Sequence, residues 1–241
     1  MCVLRFFLAF VRLSLIVILT ILTVVLALPC LYASGCSRKV SYATARSWGR
    51  AALFILNVKV KLLGKLPSEK VLVMPNHQSY IDIFLVLGYY PSSIVAKKEI
   101  GQWPILRSAI KLGRIILVDR SSLKGSVVTM HKIASEIKGG GSVILFPEGT
   151  TYYGPLTKNF KSGSFKIAEE TKTPIVPVAI KYLNRDIAWR NESFFANFMK
   201  YMGYWNLKAE MWFGEQITQG DYKQLLDDTK AAIDKQLSGY L

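Results

Sequence analysis

The sequence predicts an α/β fold, with a mixed sheet flanked by helices and an N-terminal membrane-associated helical segment before it. Three observations carry that expectation. Short apolar, β-branched runs such as Val71-Leu72-Val73-Met74 and Ser142-Val143-Ile144-Leu145-Phe146 read as buried strands. Stretches with helical apolar spacing separate these runs, the alternation expected of layered α/β architecture. Finally, Leu13 to Ser37 holds 25 residues without a charge. As a helix it would reach roughly 38 Å, beyond the roughly 30 Å hydrocarbon thickness of a bilayer.

Taken in order, the first helix is expected to kink or end at Pro29. Residues 40–56 place Tyr42, Ala45, Trp48, Ala52 and Leu53 on one apolar face, a second helix beside the first. Val58 to Leu63 alternates Val-Lys-Val-Lys-Leu, a half-exposed strand at a sheet edge, and Gly64 to Lys70 turns it back into the strand ending at Pro75. Ser79 followed by Asp82 is a capping-box pattern, opening a helix from Tyr80 to about Leu87. Ser92 to Ala96 reads as a strand, Pro104 to Leu112 as a short helix and Arg114 to Val118 as a strand. Ser122 to Lys138 reads as a helix stopped by Gly139-Gly140-Gly141. Lys158 to Lys166 opens the next helix, a position suited to anions, and Pro174 to Lys181 is the last central strand. Trp189 to Trp205 interleaves aromatics with Arg190 and Lys200, which suits either the lipid headgroup boundary or burial in the domain. Lys208 to Trp212 is a further strand, and Asp221 to Leu237 closes the chain as a helix with one apolar face.

Lysine and arginine number 31 against 16 aspartates and glutamates, a net charge of +15. Such a balance calls for an anionic partner, whether nucleic acid, a membrane surface or an acidic substrate carrier. The apolar content of 51% favours the membrane over nucleic acid. Arg5 and Arg12 precede the uncharged segment, while Arg38, Lys39, Arg46 and Arg50 follow it, a bias that favours the rest of the chain on the cytoplasmic side. A secretory signal is the competing reading, since Ala33-Ser34-Gly35-Cys36 resembles a poor lipoprotein cleavage box, and a helix dipping into one leaflet is a third. Cys2, Cys30 and Cys36 all fall in this region, so thiol catalysis, a thiolate metal site and a disulfide framework find little support. The triple glycine lacks the Walker lysine or dinucleotide spacing of a phosphate-binding loop.

The chemistry centres on Asn76-His77-Gln78-Ser79-Tyr80-Ile81-Asp82, which holds one of two histidines in the chain. His77 falls in a strand-to-helix connection and Asp82 in the first helical turn. The carboxylate can therefore fold back, accept the N–H of one ring nitrogen and leave the other nitrogen as a base. The plainer reading is a structural histidine and an aspartate that only caps a helix. His131, among Val127, Val128, Ile133 and Ile137, reads as a surface or structural residue.

His77-x4-Asp82 after one strand and Phe146-Pro147-Glu148-Gly149-Thr150 after a later one together resemble the glycerolipid acyltransferase family of 1-acyl-sn-glycerol-3-phosphate acyltransferases and related lysophospholipid acyltransferases. Two further blocks agree: Ala96-Lys97-Lys98-Glu99-Ile100 running to Gly113-Arg114-Ile115-Ile116-Leu117-Val118-Asp119-Arg120, and Pro174-Ile175-Val176-Pro177-Val178. The four blocks follow the family's order over residues 70 to 180. The resemblance implies that His77 is a general base held by Asp82, that Lys97 and Arg120 lie on the acceptor's polar head, and that Glu148, Gly149 and Thr150 belong to the acceptor pocket. It further implies a lysophospholipid acceptor, acyl-CoA or acyl-ACP as co-substrate without a further cofactor or metal, membrane lipid as partner and no nucleic acid. Residues 1–56 would then be membrane-anchoring helices and 57–241 the catalytic domain. Solvated strand-end charge stays open for Lys97 and Arg120, as does structural pairing for Glu148; Lys98 reads as a solvated neighbour.

One departure bears on the acceptor. Phosphatidic-acid-forming members usually read Glu-Gly-Thr-Arg, where the arginine is expected to grip phosphate with two prongs, and here the fourth position is Thr151. The acceptor is thus 1-acyl-sn-glycerol-3-phosphate or a different lysolipid, such as another lysophospholipid or a lyso-ornithine lipid. With no Gly-x-Ser-x-Gly elbow, direct transfer is expected, and donors near Ser162 or backbone amides near His77 are candidates to hold the oxyanion. A lipid hydrolase using water on the same dyad and a non-catalytic membrane-binding module are the rival readings.

Overall fold

A computed structural model of the chain describes residues 2–68, 70–102, 104–119, 123–152, 154–184 and 193–239. In chain order the elements are α1 (Cys2–Ala33), α2 (Arg38–Ile55), β1 (Val58–Gly64), β2 (Leu72–Pro75), α3 (Ile81–Tyr89), β3 (Ser93–Lys97), α4 (Pro104–Leu112), β4 (Ile116–Val118), α5 (Leu123–Lys138), β5 (Val143–Ile144), α6 (Gly163–Thr171), β6 (Ile175–Tyr182), α7 (Phe194–Met202), β7 (Leu207–Phe213) and α8 (Tyr222–Ser238).

Side chains two apart along a strand face the same way, and this alternation splits the core in two. Val71 and Val73 join one apolar cluster with α2, α3 and α7, whereas Leu72 and Met74 join another with α5, α6 and α8. Val176, Val178 and Ile180 follow the first and Ile175 the second. The result is a mixed seven-stranded sheet between two helical layers, in the order β1-β7-β6-β2-β5-β3-β4. The five strands from β6 to β4 are mutually parallel; β7 runs antiparallel to β6, and β1 parallel to β7. Burial on both faces explains why the central strands read as unbroken apolar runs.

Two expectations needed correction. The first strand does lie at the sheet edge, but it pairs with β7 rather than turning back against β2. Its exposed Lys59 and Lys61 bar it from the doubly buried centre, and Lys61 instead meets Glu210 of β7 at 3.1 Å. Of the two outcomes expected at Pro29, an end is ruled out, since α1 continues to Ala33.

Small residues bring the N-terminal helices onto the sheet layer. Gly49 of α2 lies against Gly88 of α3 so closely that a Cβ at position 49 would stand 2.7 Å from the Gly88 nitrogen and 3.0 Å from the Phe84 carbonyl oxygen. Arg38 and Arg114 both hold Glu136 of α5, at 3.1 and 2.7 Å, which fastens the start of α2 to the opposite edge of the sheet. α1 buries Ala9, Arg12, Ile16 and Leu31 on one side and exposes Phe6, Phe7, Phe10, Val25 and Leu26 on another. Its Val3–Ala33 stretch is long and apolar enough to cross a membrane. The Arg12 guanidinium donates to the carbonyls of Met202, Tyr204 and Trp205, where α7 ends. Of the aromatics in this stretch, Tyr201 of α7 is buried and Trp205, just past the helix, is exposed. Residues 189–192 lie outside the described residues.

Because backbone rather than a flexible side chain opposes Gly49, the Gly49→Val variant cannot relax locally. It is expected to lose about 1–3 kcal/mol of stability, the usual cost of overpacking, measured as a lower unfolding midpoint of the solubilised chain.

Candidate active site

Parallel strands present all their carboxyl ends at one edge of a sheet, and ligands of open α/β folds sit beyond that edge. Four sequence blocks arrive there: His77 after β2, Lys97 at the end of β3, Asp119 after β4, and residues 146–150 after β5.

The loop after β2 is built by side chains that replace missing backbone pairing. The buried Asn76 continues the ladder to β6, its amide donating to the Ile180 carbonyl at 3.0 Å and its oxygen accepting the Ile180 N–H at 2.7 Å. Asp82, fully buried, then folds back from the first turn of α3. Its Oδ2 accepts the N–H groups of Gln78 at 2.7 Å and Ser79 at 2.8 Å and faces His77 Nδ1 at 2.8 Å. Its Oδ1 accepts the Tyr182 hydroxyl at 2.5 Å. Burial pushes the Tyr182 phenol well above its usual range, so it stays a donor. Ser79 does not cap as the motif suggested: its hydroxyl takes the Ile81 N–H, at 3.3 Å, and the carboxylate half of the box does the rest.

A carboxylate can only accept, so the His77–Asp82 contact places the imidazole proton on Nδ1 and leaves Nε2 with a lone pair. Among the described residues Nε2 has no hydrogen-bond partner. The ring stacks on Phe146, centroids 4.1 Å apart, and the side chain is 17% exposed, enough to be reached from outside.

Glu148 joins the two loops. Its Oε1 accepts the His77 N–H at 2.9 Å and its Oε2 the Lys158 N–H at 3.2 Å. Burial pushes its carboxyl up to about 6, against the opposing pull of those two N–H groups. The His77 carbonyl accepts the Tyr152 N–H at 2.8 Å, so the connection is gripped on both sides. These bonds occupy the amides of residues 77, 78 and 79, which removes them as oxyanion donors.

Of the remaining predicted residues, Lys97 is exposed at the end of β3, and Gly149 holds a left-handed backbone, φ +72°, between the buried Glu148 and the exposed Thr150. Lys98 pairs with Asp119 at 2.7 Å. Arg120 lies outside the described residues. Asn76, Phe146 and Tyr182 were missed as functional residues. Tyr182 is the one aromatic residue of β6, which is the signal the sequence offers for it.

A family model described as Acyltransferase matches residues 57–181, just over half of the chain. The chain belongs to the acyltransferase family. Within that family it is 29% identical over 150 residues to the 1-acyl-sn-glycerol-3-phosphate acyltransferase of Neisseria gonorrhoeae, an alignment covering 61% of this chain and 58% of the relative. It is 30% identical over 145 residues to the lyso-ornithine lipid O-acyltransferase of Rhizobium meliloti, covering 57% and 50%. The chain thus spans between half and three-fifths of the length of these curated relatives. The crystal structure of the 1-acyl-sn-glycerophosphate (LPA) acyltransferase from Thermotoga maritima shares the fold, with a TM-score of 0.76 at 20% identity over 99% of this chain and 98% of that one.

The raised carboxyl of Glu148 has a signed consequence for stability. The folded chain holds this proton more tightly than the unfolded chain, so the contribution is fully present below pH 4.5 and is lost as pH rises through about 6. Glu148→Gln removes the titration. The stability of wild type relative to the variant is expected to fall across that window in unfolding measurements at stepped pH.

Proposed function

We propose that the chain is an O-acyltransferase that moves a fatty acyl group from an acyl-CoA or acyl-ACP thioester to the free hydroxyl of a lysophospholipid, with 1-acyl-sn-glycerol-3-phosphate as acceptor. The observation that carries this reading is His77, its Nδ1 held by the buried Asp82 and its Nε2 unpartnered at the carboxyl edge of the sheet.

The step follows from that geometry. Nε2 takes the proton of the acceptor hydroxyl as its oxygen attacks the thioester carbonyl. The tetrahedral intermediate collapses with loss of thiolate, and the imidazolium returns the proton to the departing sulfur. Asp82 stabilises the imidazolium between the two proton transfers without itself taking the proton. Neither a protein nucleophile nor a cofactor enters the step.

A lipid acceptor fits the surroundings. The rest of the chain touches α1 along its length, through the carbonyls that take Arg12, through Trp48 of α2 donating to Thr20 at 3.0 Å, and through Lys111 donating to Tyr32 at 2.8 Å. A helix flanked in this way presents its exposed apolar face sideways, as a segment lying in one leaflet does. An apolar cleft of about 120 Å³, lined by Val24, Ala45, Trp48, Leu87, Leu112 and Ile115, opens between α1, α2, α3 and α4 and suits an acyl chain. The excess of cations suits an anionic cytoplasmic surface.

Thr151, in the place of the family's usual arginine, supports a second acceptor, a lyso-ornithine lipid, which the Rhizobium meliloti relative is named for. Solubilised chain given labelled acyl thioester and a panel of lysolipids separates the two. Transfer to 1-acyl-sn-glycerol-3-phosphate is expected, reduced about 10²- to 10⁴-fold in His77→Ala, the usual contribution of a general base. Undiminished transfer by the variant would remove His77 from the mechanism, and release of free fatty acid without any acceptor would make the chain a hydrolase.

A further inference from the structure

A cavity of about 200 Å³ opens beside the catalytic loop, bounded by β3, β4, α5, the 146–149 segment and the start of α6. Its floor is apolar, with Val95, Val118, Met130 and Ile133 among the lining side chains. Among the described residues that line it, Lys161 carries the one charge, and no carboxylate faces it.

Three features converge on this space. The Lys161 side chain lies across Gly149, so that a Cβ at position 149 would stand 2.8 Å from its Cε and 3.1 Å from its Nζ. The left-handed glycine of the Glu-Gly-Thr block thus makes room for an ammonium group. Ser164, 6% exposed, lines the cavity with a buried Oγ that has no hydrogen-bond partner. A buried hydroxyl without a partner is costly unless something else occupies it. Finally, α6 begins here. The N–H groups of Phe165 and Lys166 turn back to the Ser162 carbonyl, which leaves those of Gly163 and Ser164 as first-turn donors at the positive end of the helix.

We propose that Lys161, the Ser164 hydroxyl and the first turn of α6 form the phosphate-monoester site for the acceptor's headgroup, a role that compensates for the arginine absent at position 151. The site rests on the acyltransferase reading above and assigns it an acceptor class. Lysine serves as a point charge where arginine would supply a fork, and the helix amides and the serine provide the directional bonds. The placement fits the acceptor's chemistry. Phe146 lines the cavity on one side and carries the His77 ring, 4.1 Å away, on the other. In 1-acyl-sn-glycerol-3-phosphate the phosphate hangs from the carbon next to the one bearing the reacting hydroxyl, so this acceptor calls for a phosphate site beside its base.

The test compares Lys161→Met, Lys161→Arg and Ser164→Ala with Lys166→Met, which removes the same charge from the exposed side of the same helix. The expected result is a rise in the KM for 1-acyl-sn-glycerol-3-phosphate of at least about tenfold in Lys161→Met, the loss that follows removal of a charge-assisted hydrogen bond. A smaller rise is expected in Ser164→Ala, which breaks no existing contact and should fold normally, with recovery in Lys161→Arg and no change in Lys166→Met. A KM within twofold of wild type in both Lys161→Met and Ser164→Ala would overturn the proposal, as would a rise confined to the thioester donor. Thermal stabilisation of the full chain by inorganic phosphate, expected in wild type and absent in Lys161→Met, gives a readout independent of catalysis. If no acceptor is acylated at all, the acyltransferase reading fails while this binding result still decides the site.

Discussion

One buried carboxylate organises the loop after β2. Asp82 has no exposed surface, and its two oxygens face four donors: two backbone amides, an imidazole and a phenol. A buried carboxylate with fewer partners would carry a large desolvation cost, and with these four it becomes the point on which residues 77 to 82 turn. Orientation of His77 is therefore a by-product of satisfying Asp82. These four bonds tie α3, β6 and the loop after β2 to one another.

The sheet makes that unit useful. Five parallel strands end along one edge, where Asn76 clamps the loop after β2 to β6 and Glu148 bridges that loop to the one after β5. The stack of His77 on Phe146 then joins the imidazole to the cavity beside α6. On the opposite side of the sheet order, β1 and β7 extend the scaffold without contributing to the site. The N-terminal helices are packed into the same apolar cluster as α3, so the helix with the exposed apolar face and the loop that carries His77 share a core.

What could be read from the sequence was local. His77, Asp82 and the Glu148 block announce themselves because each lies within a few residues of a strand end or helix start, where spacing fixes direction. Partners distant in sequence gave no such signal. Tyr182 meets Asp82 across 100 positions, and Glu148 spends its oxygens on backbone amides that no side-chain pattern reveals. The pairing of β1 with β7 was equally hidden, because strand alternation specifies which face is wet and not which neighbour is bonded. Lys161 and Ser164 were visible as residues flanking a helix start, but the empty hydrogen-bonding capacity of Ser164 exists only in three dimensions.

Asp82 fixes the His77 ring with its proton on Nδ1 and its lone pair on Nε2. Nitrogen NMR of histidine-labelled chain tests this directly, since His131 is the other histidine and its signals are removed by substitution. At a pH where the ring is neutral, His77 is expected to show a protonated Nδ1 and an unprotonated Nε2, with the preference lost in Asp82→Asn. A proton on Nε2 in the wild-type chain would contradict it, because the ring would then have no base to offer the acceptor hydroxyl.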